Sequence, residues 1–216
     1  GIILGVYFGT VILLNIPYIQ QQTTLFTARE LSELLKTEVS IGKINVGLLN
    51  RIIIDDLLLN DRTGKEMLKV SRLSAKYSIF SLFRGQISIS SVQLFGFNVA
   101  LNKPSPDDIS NYQFVIDALS SKDAESKKSS IDLRINSLLI RRGKLVYDVL
   151  SEVETPGKFN PQHIKLYNII GNISLKALSR DSINAQVKRF SVDEQSGLEL
   201  RKLSLKLLGN EQSMAI

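Results

Sequence analysis

Cysteine and tryptophan are absent from this chain of 216 residues, and histidine occurs once. Without cysteine, the chain has no disulfide framework, no thiolate metal site and no thiol nucleophile. The single histidine, His163, has no second imidazole with which to build a metal cluster, and nothing in the sequence suggests a catalytic triad around it. We therefore expect His163 to be a surface residue in the loop that follows Pro161.

Motifs of other common catalytic sites are missing as well. Adjacent aspartate pairs occur at residues 55–56 and 107–108. Neighbouring residues of a strand point to opposite faces, which is poor geometry for shared acid-base work, and turns commonly use aspartate. No glycine-rich phosphate loop is present, because Gly5 and Gly9 lie in an apolar segment. The sequence therefore predicts a protein that is not an enzyme and that uses no cofactor and no metal.

The charge balance is basic, with a net charge of +6 and a pI near 9.5. Such a balance suits an anionic partner, either nucleic acid or the head groups of a membrane. The Lys and Arg residues are spread along polar positions of the predicted strands, without a basic stripe interleaved with exposed aromatics. We therefore expect no nucleic-acid partner, and a solvated sheet face is the ordinary alternative for these charges.

Charge is also missing from the N-terminus, because Arg29 is the first charged residue. Residues 1–19 would form a helix of about 28 Å, which matches the hydrocarbon layer of a bilayer. We predict an uncleaved transmembrane anchor over residues 1–22. A cleaved signal peptide would need a small-x-small site, which is absent, and a buried core helix would usually show a polar edge. The predicted anchor residues are Ile2, Ile3, Leu4, Val6, Phe8, Val11, Ile12, Leu13, Leu14 and Ile16.

One spacing of apolar residues recurs through the rest of the chain. In residues 87–94 (ISISSVQL) the apolar residues occupy relative positions 0, 2, 5 and 7, with polar residues between them. A helix would scatter these side chains around its axis. In a strand, 0 and 2 share a face, as do 5 and 7, provided that a β-bulge accommodates one extra residue between the pairs. The spacing therefore predicts a bent, bulged strand with one apolar face.

Copies of this spacing cover much of the sequence. Further strict copies occupy residues 39–46, 68–75, 185–192 and 198–205, and looser copies occupy residues 52–59, 133–140 and 164–171. The alternative, in which each copy is a small hairpin, lacks the Asn-Gly or Asp-Gly chemistry that such turns require.

The predicted organisation places helices before and between two groups of strands. An amphipathic helix over residues 23–36 has Thr27 and Glu30 at capping-box spacing, and its apolar stripe should plug the end of the first strand's apolar face. A first strand group over residues 37–119 ends in a short helix over 111–119. Residues 120–130 are predicted to form a mobile polar excursion, that is, a loop between the two strand groups. A second strand group is predicted over residues 131–216 and is expected to continue further.

So many strands with one apolar face need a cover, since large exposed apolar patches are rare in soluble proteins. A second sheet would give a sandwich, closure would give a barrel, and acyl chains would give an open, lipid-holding groove. Bulges favour strong curvature, which suits the barrel and the groove. Periodicity alone leaves these three architectures open.

Several segments resemble the N-terminal region of bacterial TamB proteins, which belong to the wider AsmA-like family. The resemblance spans residues 1–121 and rests on the apolar N-terminus and on residues 36–44, 54–61 with Gly64, 89–96 and 111–114. It implies a mainly β protein whose curved, bulged antiparallel sheet forms an open groove, a chorein-like β-taco. It also implies a protein anchored in the bacterial inner membrane with its bulk in the periplasm.

The function implied by the resemblance is movement of phospholipid between the inner and outer membranes. The alternative is a scaffold of a translocation and assembly module for outer-membrane proteins or adhesins, working with an Omp85-class barrel. The family's C-terminal domain has no counterpart here, which leaves that barrel contact open. An ordinary anchored sandwich with a binding role is a third hypothesis. The residues predicted to line the groove are Ile41, Ile44, Val46, Ile54, Leu57, Val70, Leu73, Ile87, Ile89, Val92, Leu94, Ile135 and Leu138.

Overall fold

A computed structural model of the chain describes residues 2–47, 50–78, 87–120, 131–132, 136–178, 182–210 and 213–215. Within them the protein is mainly β, with one mixed sheet that does not close on itself. The helices are α1 (Ile2–Leu14), α2 (Pro17–Leu35) and α3 (Gln113–Ser120). The strands are β1 (Val39–Gly47), β2 (Arg51–Asn60), β3 (Glu66–Tyr77), β4 (Ile87–Lys103), β5 (Ile131–Asp132), β6 (Ser137–Val149), β7 (His163–Leu178), β8 (Ser182–Glu194), β9 (Glu199–Asn210) and β10 (Ser213–Ala215).

The strand order is β1-β2-β3-β4-β6-β7-β8-β9-β10, and the short β5 pairs beside β4. The prediction of a purely antiparallel sheet is wrong at β4, because this strand is parallel to both β5 and β6. After β4 ends at Lys103, the chain passes through α3, and β5 and β6 then pair beside the end where β4 began, with Ile131 opposite Ile87 and Ser137 opposite Ser91. The mainly β, open architecture is confirmed, and the described residues contain neither a second sheet nor a closed barrel.

Six copies of the apolar spacing, at residues 39–46, 52–59, 68–75, 87–94, 164–171 and 185–192, each lie within one continuous strand, so the hairpin alternative is wrong for them. The copy at 198–205 begins one residue before β9, and residues 133–135 of the copy at 133–140 lie outside the described residues. In β1 and β2, Ile41 pairs with Leu57 and Lys43 with Asp55, while the residues between them form no pair. Asp56, at this bend, has a φ of 54°, a left-handed conformation that bulges commonly use. The step of three residues in the spacing is therefore a bend that keeps every apolar residue on one face.

The bend places two consecutive residues on the opposite, polar face of the sheet. Both members are exposed in the pairs 42–43 of β1, 71–72 of β3, 141–142 of β6, 188–189 of β8 and 201–202 of β9. In β4, Ser90 is a further extra residue, since Ile89 pairs with Tyr77 and Ser91 with Lys76. The bulge predicted within residues 87–94 is therefore present.

The N-terminal apolar segment forms two helices in place of the one predicted. α1 ends at Leu14, and α2 begins with Pro17 at its first turn. Proline lacks the N–H that would continue a helix and disfavours helical backbone in the residue before it. None of the described helices combines the length and the apolar composition needed to cross a membrane.

The second helix is longer than the amphipathic helix predicted over residues 23–36. The predicted capping box is wrong, because Thr27 lies inside α2 and its hydroxyl donates a hydrogen bond to the carbonyl oxygen of Thr23. Lys36 ends the helix in a left-handed conformation, with φ at 54°. The predicted packing is observed, since Ala28, Leu31 and Leu35 contact a cluster that contains residues of β1.

The helix predicted over residues 111–119 is confirmed as α3. Its Phe114 is buried in the same cluster as β1, and the guanidinium of Arg62 lies 5.2 Å from the Phe114 ring centre. The neighbouring hairpin is held by Asp61, whose carboxylate accepts hydrogen bonds from the backbone N–H groups of Thr63 and Lys65. Gly64 closes it with a positive φ of 82°, which glycine adopts readily. Residues 121–130 of the predicted excursion lie outside the described residues.

Candidate functional site

The apolar face of the sheet is the candidate site, and cross-strand register defines it. Residues that pair directly across neighbouring strands lie on the same face. One row runs through Ile44, Ile54, Leu73, Leu94, Ile140, Gly171, Phe190 and Leu203. The next row runs through Val46, Ile52, Ala75, Val92, Leu138, Ile173, Val187 and Leu205.

Two further rows lie toward the other ends of the strands. One contains Ile41, Leu57, Val70, Phe97, Gly143 and Ile169, and the other contains Val39, Leu59, Leu68, Val99, Leu145 and Leu166. All four rows contain only aliphatic, aromatic or glycine residues. They form a lining without charged or hydrogen-bonding side chains.

The structure places most of the predicted groove residues in these rows. Ile41, Ile44 and Val70 are buried. Those that are half-buried are Val46, Ile54, Leu57, Leu73, Ile89, Val92, Leu94 and Leu138. Ile87 begins β4, and Ile135 lies outside the described residues. The predicted lining omitted Phe97, Ile140, Ile169 and Phe190. The last three are apolar members of the copies at residues 133–140, 164–171 and 185–192, and Phe97 follows from continuing the spacing of residues 87–94 along β4.

Val70 is fully buried on the apolar face. That side chain is only 1% exposed, yet the hydrophobic cluster around it consists entirely of strand residues. A residue on a single sheet becomes this buried when side chains of neighbouring strands lean over it. Phe97 contributes by lying across Gly143, where an added Cβ would be 2.2 Å from the ring. Gly143 therefore leaves room for the Phe97 ring on the apolar face.

Helices cover only one end of this face. Residues of α2 and α3 pack with Val39, Ile41 and Ile44 at β1. No described helix packs against β6 to β9, and the lining residues there are mostly half-buried. From β1 to β9 the face spans eight strands, or about 34 Å at the usual spacing between strands. One leaflet of a bilayer has a hydrocarbon depth of about 15 Å, so the face is long enough for an acyl chain.

The helix α1 presents further apolar surface. Val6 is 63% exposed, Ile12 67% and Leu13 55%, and Phe8 and Ile16 are also exposed. Val11 is half-buried, whereas the side chains of Ile2, Ile3, Leu4 and Leu14 lie outside the described part. The apolar residues surround the helix, as expected for a helix in an apolar environment.

The predicted positions of two polar features, His163 and the aspartate pair at residues 55–56, are wrong. His163 is the first residue of β7, and its side chain is only 9% exposed, so it is not a solvated loop residue. Asp55 and Asp56 lie on the same face, because both flanking apolar residues, Ile54 and Leu57, lie on the other. Asp55 Oδ1 is 2.6 Å from Arg72 Nε, which is an ion pair across two strands.

Two further pockets among the described residues are small. A depression of about 260 Å³ on the polar face lies beside Met67, Ala100 and Val146, and a cavity of about 20 Å³ lies beside Glu154 and Glu194. Ligand pockets usually have about 300–1,000 Å³. Across the described ranges, no group of three or more His, Cys, Asp or Glu residues is placed to hold a metal ion.

Neither a scan against protein-family models nor a search of curated proteins found a match to this chain. The resemblance to the AsmA-like family therefore stays a prediction.

Proposed function

We propose that this chain is a lipid conduit, which holds phospholipid acyl chains against the apolar face of its sheet and moves them between the inner and outer membranes of a bacterium. The observation that carries the proposal is the set of continuous apolar rows across an open sheet with helices at only one end. No protein layer among the described residues covers the remainder of that face.

The energetics favour acyl chains as the occupant. Burying a methylene group contributes about 0.8 kcal/mol, so a tail that lies along the rows is held without hydrogen bonds. The head group remains in water beyond the strand ends. Because each row repeats similar aliphatic side chains, no single position is strongly preferred, and a tail slides from strand to strand at little cost.

The location in this proposal is the inner membrane, with the bulk of the chain in the periplasm. The apolar surface of α1 supports contact with lipid, since side chains such as Val6 and Ile12 are mostly exposed. The proposed partners are phospholipid, the inner membrane and an Omp85-class barrel. The chain acts by physical transfer and is not an enzyme.

A site-specific crosslinking experiment tests the conduit and avoids interference from α1. A photoreactive amino acid is placed at Val92, on the apolar face, or at Gln93, the next residue on the polar face. The full chain is irradiated in membranes, and the adducts are identified by mass spectrometry. We expect phospholipid adducts at position 92 and few at position 93. Equal labelling of both positions, or none at position 92, would contradict the proposal.

A strand-pairing scaffold is the second candidate, and one edge of the sheet favours it. β9 pairs with β10 only at Leu208, Gly209 and Asn210, so residues 199–207 offer unpaired backbone groups among the described residues. Such an edge accepts an extended client strand. Under this alternative, a crosslinker at Ser204 captures client polypeptide, and Val92→Asp does not reduce the yield.

A further inference from the structure

The polar face of the sheet gathers basic residues that are scattered in the sequence. Six of them occupy three bends: Arg141 and Arg142 in β6, Lys188 and Arg189 in β8, and Arg201 and Lys202 in β9. We name these six residues the basic patch. All six are exposed. The strands that hold them, with β7, lie side by side and span about 15 Å.

Cross-strand register brings the three pairs close together. Ile140 pairs with Gly171 and Gly143 with Ile169, which places the bend of β6 beside Ile170. Ile170 pairs with Ser191, and the residues flanking Ser191 pair with Leu200 and Leu203, on either side of the bend of β9. Arg189 pairs with Asn172, so it lies on the same face as Ser191, two residues away along β8.

Most of these charges have no acidic partner within the described part of the chain. The side chains of Arg141, Lys188, Arg189 and Lys202 form no ion pair or hydrogen bond with a described residue. Arg201 pairs with Glu199. The half-buried carboxylate nearby, Asp193, accepts a hydrogen bond of 2.7 Å from Asn168. The patch therefore keeps a net positive charge that a solvated, charge-balanced face would not have.

Two exposed apolar residues distinguish between the possible anionic partners. Ile170 is 38% exposed beside the basic patch, and Phe95 is 41% exposed, with the guanidinium of Arg142 5.1 Å from its ring centre. Single-stranded nucleic acid is usually bound by successive aromatic rings on which bases stack. One aromatic and one aliphatic side chain among Lys and Arg residues instead suit the interface of an anionic bilayer.

We propose that the basic patch, with Phe95 and Ile170, docks the polar face of the sheet onto the anionic phospholipid head groups of a bilayer. This inference does not rest on the proposed conduit, because the patch and the apolar rows lie on opposite faces. It assigns the polar face a role in orienting the sheet on a membrane surface.

The test compares vesicles of phosphatidylcholine alone with vesicles that also contain phosphatidylglycerol. The apolar helix α1 contributes to binding of both, so the readout is the preference of the full chain for the anionic vesicles, measured by flotation. The triple substitution Arg141→Glu, Arg189→Glu and Lys202→Glu should reduce that preference by at least about 100-fold, from the known attraction of each basic residue to an anionic surface. Raised salt should reduce it in the native chain.

A matched control reverses as many charges elsewhere. Lys36, Lys65 and Lys158 are exposed residues outside the patch, and their triple substitution by glutamate should leave most of the preference in place. Circular dichroism verifies that each variant is folded, and the same positions changed to glutamine give a milder second set. Equal losses in patch and control variants would overturn the proposal. So would tight binding of a single-stranded oligonucleotide through the patch without any preference for anionic vesicles.

Discussion

His163 shows how a lone polar residue takes its properties from residues that are distant in sequence. Its Nδ1 lies 3.1 Å from Asp148 Oδ1, and its Nε2 lies 3.0 Å from the carbonyl oxygen of Glu152. Both partners are acceptors, and only the imidazolium form has an N–H on each nitrogen. The hydrogen bond to Asp148, helped by the Glu152 carbonyl, raises the pKa of His163 in spite of partial burial.

This geometry predicts a stability that depends on pH. Because the pKa of His163 is higher in the folded state, its contribution is complete below the unfolded value of 6.5 and is lost as the pH rises through the folded value. Urea unfolding across this range should show the free energy of unfolding of the native chain falling with rising pH. The His163→Gln variant should lack this fall.

The controls for this prediction use two carboxylates. Asp148→Asn removes the main cause of the raised pKa and should also weaken the pH dependence. Asp107→Asn changes an exposed loop carboxylate and should leave it unchanged. An identical pH profile for the native chain and His163→Gln would show that the ring makes no such contribution.

The helix α2 does more than cover the end of the apolar face. Its side chains bind the free backbone edge of β1: the N–H of Ile44 donates to Thr24 Oγ1 at 3.1 Å, and the N–H of Val39 donates to Ser32 Oγ at 2.9 Å. Just before the helix, Asn15 Nδ2 donates to the carbonyl oxygen of Val46 at 2.8 Å. An exposed strand edge invites pairing with other chains, so α2 protects this side of the sheet.

Removing one of these hydrogen bonds should lower the stability of the fold. Thr24→Val keeps the shape of the side chain and leaves the buried N–H of Ile44 without an acceptor, which should lower the free energy of unfolding by about 1–3 kcal/mol. Thr23→Val is the matched control, because Thr23 is the adjacent, exposed residue of the same helix. Chemical denaturation of both variants checks the prediction, and equal effects would contradict it.

The strands show which structural features a local sequence pattern can predict. The spacing of 0, 2, 5 and 7 predicted the bends of β1 and β2 from single segments, because the periodicity of a strand is a local property. The parallel pairing of β4 with β6 could not be predicted in this way. It depends on where β6 begins beside β4, at Ser137 opposite Ser91, which lies far along the chain from the end of β4 at Lys103.

The molecule as a whole is one open sheet with an apolar face, a polar face and a helical end. An occupant that binds only the folded sheet should stabilise it by mass action. After lipid is removed, adding phospholipid in mild detergent should raise the midpoint of thermal unfolding above that in detergent alone. Val92→Asp should abolish this shift, and Gln93→Asp, on the polar face, should retain it. An unchanged midpoint in the native chain would indicate that no lipid binds the apolar rows.

The sequence alone was enough for the strands, their bends, their single apolar face and most of the lining, because these follow from side chains at most a few residues apart. It also predicted the packing of α2 against β1. Only the tertiary structure decided that the sheet stays open and mixed, that α2 closes the edge of β1, that His163 is held by Asp148, and that six basic residues form one patch. The physical reason is cross-strand register, which joins segments far apart in the chain and therefore leaves no trace in the local pattern of any one of them.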